Sequence, residues 1–79
     1  MSGVRVRLTF PEHLIKEPVI ARMVKEFDVM ANIRRAKVED SFGWILCELD
    51  GDHESIDGAV QWMRELGVEV DLPGDVVEG

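Results

Sequence analysis

Residues 31–51, ANIRRAKVEDSFGWILCELDG, constrain this chain more than any other stretch, because they read as one β-hairpin with unequal arms. Ala, Ile and Val are interleaved with Arg and Lys up to Val38, after which Glu39, Asp40, Ser41, Phe42 and Gly43 supply a polar turn and a permissive glycine. The second arm, residues 44–49, is apolar at nearly every position, the pattern of a central strand covered at least in part on both faces. The first arm, with Arg34, Arg35 and Lys37, reads as an edge strand whose charges discourage uncontrolled pairing while one row of backbone donors and acceptors stays open.

Seventy-nine residues make one domain, near the lower limit of what a single core sustains. The formal charge of −7 opposes a nucleic-acid partner, which requires a basic footprint to release counterions. Cys47 is the only cysteine, so neither a disulfide framework nor a thiolate cluster for a metal is available, and a reducing, cytoplasmic location is expected. No signal-peptide pattern opens the sequence, and no apolar run approaches the roughly 20 residues of a membrane span, so direct membrane insertion is not expected.

In chain order, Val4, Val6, Leu8 and Phe10 alternate with Arg5, Arg7 and Thr9, which predicts a half-buried strand closed by Pro11. Residues 12–17 are expected to form a loop. From Pro18, Ile20, Met23, Val24 and Phe27 recur at helical spacing and predict an amphipathic helix ending near Asp28. After the hairpin, Asp52 is expected to cap a second helix with its carboxylate; Ile56, Ala59, Val60 and Met63 form its apolar stripe, and Gly67 ends it. Residues 68–72 alternate again as a last strand, stopped by Pro73 and Gly74. The core is expected to span about 4–73, with 74–79 as a frayed tail.

The order β, α, β, β, α, β predicts an α+β, ferredoxin-like fold: a four-stranded antiparallel sheet, first and third strands central, with two helices on one face. Strand parity then places Arg5, Arg7, Thr9, Ile33, Arg35, Lys37, Trp44, Leu46, Glu48, Glu69 and Asp71 on the uncovered face, provided no bulge shifts the register. Four of the nine basic side chains, Arg5, Arg7, Arg35 and Lys37, thus gather around Ile33, Trp44 and Leu46 in an otherwise acidic chain. Two readings stay open: a partner interface, or a solvated face whose arginines lie over a tryptophan and pair with cross-strand carboxylates. The uncovered Ile33, Trp44 and Leu46 together with a marginal core predict a symmetric homodimer formed through the edge strand or the open sheet face.

Catalytic and metal sites have little support. His13 and His53 stand far apart with no further ligand at metal-binding spacing, and Cys47 sits in a central strand as a small core residue. The acidic group Asp50, Asp52, Glu54 and Asp57 does not fit an EF-hand, whose loop needs glycine at the sixth position where Gly51 is second; acidity at a helix start accounts for it. No nucleophile with an adjacent base and no phosphate-cradling glycine loop is present, so neither an enzyme nor a cofactor is expected.

The residues do carry a family resemblance. Arg7-Leu8-Thr9-Phe10, the Asn32-Ile33 pair opening the hairpin, Gly43 through Glu48-Leu49 and Gly51, and Ala59-Val60-Gln61-Trp62-Met63 followed by Gly67-Val68-Glu69-Val70 resemble, in order and spacing, a NIL domain. That is the small ferredoxin-like module found at the C-terminus of ATPase subunits of bacterial methionine importers, beside ferredoxin segments, or alone. The resemblance spans about residues 4–74. It implies a regulatory domain that binds methionine or a related sulfur amino acid. It also implies a ligand site at Asn32, Ile33 and Arg34, with the Asn32 amide as the polar contact. Arg34 replaces the leucine of the name-giving Asn-Ile-Leu motif. ATP hydrolysis is not implied, because the chain contains no Walker motif.

A reading from a different class is a docking module that engages another protein without any ligand, through its edge strand or through the exposed sheet face with Arg5, Arg7, Arg35, Lys37, Trp44 and Leu46. An RNA-binding reading fails on the absence of tyrosine and of an aromatic run on the central strands.

Overall fold

The computed structural model describes residues 2–72. The alternating apolar residues of the first strand become β1 (Ser2–Pro11), whose Val6 and Leu8 are wholly inaccessible to solvent. Side chains two apart share one side of a pleated strand, so burying that side determines how the neighbours align. β1 runs antiparallel to β3 (Phe42–Gly51), with Val6 opposite Cys47 and Leu8 opposite Ile45. On its other side it meets β4 (Glu69–Asp71), with Leu8 opposite Val70. β2 (Met30–Val38) pairs with β3, and the order among the described residues is β2-β3-β1-β4, with the first and third strands at the centre, as the element order predicts.

Two helices, α2 (Val19–Phe27) and α3 (His53–Leu66), cover one face of this sheet (α1, a single turn, is described below). Met23 of α2 and Ile56, Ala59 and Met63 of α3 are buried against Val6, Leu8, Cys47 and Leu49. Each large aliphatic side chain so buried contributes roughly 1.5–3 kcal/mol. The helices touch through Phe27 and Trp62, whose ring centroids lie 5.6 Å apart.

β1 does close at Pro11, opposite Phe42. Several other local expectations are revised. Residues 12–17 are not wholly a loop: Glu12–Ile15 form a single helical turn, α1, that drives Leu14 into the end of the core. A turn this short is not stable by itself, and burial of Leu14 supplies what local propensity lacks. Asp52 occupies the N-cap position of α3 in an extended conformation, and its carbonyl accepts from the Ile56 N–H at 2.9 Å. Its carboxylate, however, makes no capping hydrogen bond. α3 ends at Gly67, as expected, with φ of 112°. The last strand is shorter than predicted, Glu69–Asp71. The expected strand stop at Pro73-Gly74, the end of the predicted core and the predicted tail lie outside the described residues.

The revision with most consequence is in β2. Ile33 stands opposite Cys47 but Arg35 stands opposite Leu46, so Arg34 is an extra residue in a β-bulge. The parity assignment of Ile33 is therefore wrong. It shares the helix-bearing side with Cys47, while Asn32, opposite Glu48, faces the open side.

Candidate functional site

The open face of the sheet collects charged and amphipathic side chains from all four strands. β1 contributes Arg5, Arg7 and Thr9, β3 contributes Trp44, Leu46 and Glu48, β2 contributes Asn32, Arg35 and Lys37, and β4 contributes Glu69 and Asp71. Cross-strand pairing sets these neighbours: Arg5 lies opposite Glu48, Arg7 opposite Leu46, and Lys37 opposite Trp44.

Glu48 organises one end of this face. Its carboxylate lies 3.5 Å from the Arg5 guanidinium and 3.7 Å from that of Arg34. The bulge turns Arg34 to this side, making it the fifth cation of the face beside Arg5, Arg7, Arg35 and Lys37. Two guanidiniums share one carboxylate, so the cluster keeps a net positive charge. All three side chains reach water, and pairs of this kind contribute only about 0.2–1 kcal/mol each. Further along, the Arg7 guanidinium lies 4.9 Å from the centre of the Trp44 ring, and Lys37 pairs with Glu39 at 3.2 Å.

The residues singled out in the sequence separate into two sets. Arg5, Arg7, Arg35, Lys37, Trp44 and Leu46 share the open face. Of the three at the name-giving motif, Asn32 and Arg34 come together beside Glu48, whereas Ile33 points to the other side and is 51% exposed. The consecutive arginines Arg34-Arg35, which break the alternation of a strand, were the available sign of the bulge.

One feature has no counterpart in the sequence patterns. On the helix-bearing side, at the hairpin end, a cavity of about 170 Å³ is lined by Phe10, Leu14, Val19, Ile20, Val38 and Ile45, among others. None of Asn32, Ile33 and Arg34 borders it.

Among the described residues no three His, Cys, Asp or Glu side chains cluster as metal ligands would, and no helix is long and apolar enough to cross a membrane. Cys47 is fully buried, and loss of hydration pushes its thiol up to about 11, so it stays a protonated core group at neutral pH.

Comparison with known proteins places this geometry. The profile of the NIL domain matches residues 4–72. A methionine import ATP-binding protein MetN of Bacillus subtilis is 27% identical over 75 residues, which are 90% of this chain and 22% of that protein. A MetN 2 protein of Acinetobacter baylyi is 33% identical over 75 residues, again 90% of this chain and 22% of the relative. The chain thus spans about a fifth of the length of these curated relatives. Among solved structures, the C-terminal domain of an ABC transporter ATP-binding protein from Enterococcus faecalis superimposes with a TM-score of 0.80 at 26% identity, covering 99% of this chain and 88% of that one.

Proposed function

The chain belongs to the NIL domain family, and from that premise we propose that it is a regulatory domain that binds methionine or a related sulfur amino acid. The observation that carries this reading is the alignment of nine-tenths of the chain with one segment of proteins named for methionine import. ATP binding, which those names also mention, is not assigned to this chain, since it aligns with only 22% of their length.

The proposed ligand site is the group around Asn32 and Arg34. A free amino acid carries a carboxylate and an ammonium a few ångströms apart, so its site needs donors beside an acceptor. Arg34 and Arg5 offer the donors, Glu48 the acceptor, and the Asn32 amide both. In this reading Ile33, on the other side of the strand, sets the backbone position of its two neighbours. The test is a thermal-shift screen of the twenty amino acids and common sulfur metabolites. A ligand at 100 times its dissociation constant adds about 2.7 kcal/mol, a shift of several degrees in a domain this small. Flat melting curves across the whole set would remove the sensor reading.

A second reading, favoured by the Arg7–Trp44 contact beside half-buried Leu46, makes the open face a protein-docking surface. Arginine and tryptophan are the side chains most often found as interface anchors. A second copy of the chain is the partner to test first on that face.

A further inference from the structure

We propose that β2 is a docking edge for an extended, acidic segment of another protein, which pairs with its free backbone and seats one apolar side chain in the cavity beside Val38. Among the described residues β2 is hydrogen-bonded to β3 on one side and to no strand on the other. Edge strands are ordinarily kept short or stripped of apolar groups, because their unpaired backbone is a template for another strand. Here the edge is nine residues long, and Met30, Ile33 and Val38 are 68%, 51% and 65% exposed. With Phe42, directly across the turn, they are the exposed large hydrophobic residues of the described chain.

The bulge leaves residues 35–38 as a regular ladder against residues 46–43, and this segment ends at the cavity. A volume of about 170 Å³ matches one side chain of leucine, methionine or phenylalanine size, as an apolar cavity of about 150 Å³ accepts benzene. Ala36, on the same side of the strand as Val38, is small and stands opposite Ile45 of the cavity lining. Strand addition with an apolar anchor in a pocket is a recurring mode of peptide recognition.

Charge identifies the occupant. β2 carries Arg34, Arg35 and Lys37 and no acidic residue, in a chain whose net charge is −7. Arg35 forms no ion pair among the described residues, while Arg34 and Lys37 pair within the chain. A second copy fits poorly. Symmetric antiparallel pairing of β2 with itself would set cations against cations, and the other edge, β4, is acidic through Glu69 and Asp71 but only three residues long. An acidic strand from a different protein meets neither obstacle.

The experiment uses the full chain and a fluorescent nine-residue peptide alternating glutamate with valine and leucine. Fluorescence polarisation should show binding that weakens with added salt. The Arg35→Glu plus Lys37→Glu variant should bind at least about tenfold more weakly, as should wild type toward the same peptide with lysine in place of glutamate. Ala36→Trp, which sets a bulky side chain opposite Ile45 of the cavity lining, should weaken binding without altering the circular dichroism. Amide exchange should slow along β2 when the peptide is added. The proposal is overturned if the acidic peptide does not bind, if both peptides bind alike, or if exchange slows elsewhere. It is equally overturned if β2 becomes protected with rising protein concentration and no peptide, since a second copy would then be the occupant. Methionine takes no part in these measurements, so their outcome is separate from the sensor reading.

Discussion

The Arg34 guanidinium lies 3.7 Å from the Glu48 carboxylate, although strict alternation along β2 would send Arg34 to the opposite side of the sheet. The bulge between Ile33 and Arg35 makes that contact, and it converts a residue that departs from an apolar motif into part of a charged cluster with Arg5 and Asn32. A leucine at the same bulged position would face the open side without a partner for Glu48.

If the cluster holds an amino acid, calorimetry should give a methionine affinity between micromolar and millimolar, worth roughly 4–8 kcal/mol. Asn32→Ala should lose about 1–3 kcal/mol of it, because a charged group of the ligand loses its hydrogen-bond partner. Arg34→Leu should weaken binding as well. Wild-type binding indifferent to both changes would keep a sensor but move its site.

Reversal of the open face should separate association from folding. Arg5→Glu plus Arg7→Glu replaces exposed side chains that lie away from the helices, and the circular dichroism should stay that of the parent. A wild-type dimer is expected in sedimentation at high micromolar concentration, and it should become monomeric in the double variant. A clean wild-type monomer under those conditions would discard self-association through this face.

The single turn α1 should matter to stability out of proportion to its length. Leu14 is 7% exposed, and Leu14→Ala should cost about 2–5 kcal/mol, since removing its methyls leaves a cavity contiguous with the one already beside it. Urea denaturation measures this as a lower midpoint with little change in slope. A loss below about 1 kcal/mol would mean that the turn is not part of the cooperative core.

Cys47 makes stability depend on alkaline pH. Its thiol is raised from 9.0 to about 11 in the folded chain, so the fold favours the protonated form. That contribution is complete below pH 9, where the unfolded thiol is also protonated, and is lost as pH rises toward 11, amounting to roughly 3 kcal/mol. Comparing wild type with Cys47→Ala, whose cavity lowers stability at every pH, the difference between the two should shrink from pH 8 to pH 11. A constant difference would show that the thiol does not titrate differently on folding.

Much of the fold was legible because its signals are local. Val4, Val6, Leu8 and Phe10 repeat every second residue, Met23 and Phe27 or Ile56, Ala59 and Met63 at helical spacing, and either period alone states which side of an element is buried. The near-continuous apolar run from Trp44 to Leu49 likewise announced a central strand, which β3 is. Those patterns, in that order, determined the topology and the family resemblance. The sequence also gathered Arg5, Arg7, Arg35, Lys37, Trp44 and Leu46 on one face, because β1 pairs with β3 in unbroken register and Arg35 and Lys37 lie beyond the bulge of β2. The tertiary structure alone decided the rest. Arg34 and Ile33 exchanged sides because β2 carries one extra residue against β3 between Ile33 and Arg35, and where a ladder takes up an extra residue is decided by the pairing of the two strands. α1 exists because Leu14 finds the end of the core, and the cavity exists because α1, α2 and the hairpin end meet without filling the space between them. Both depend on contacts between residues far apart in the chain, which no periodicity records.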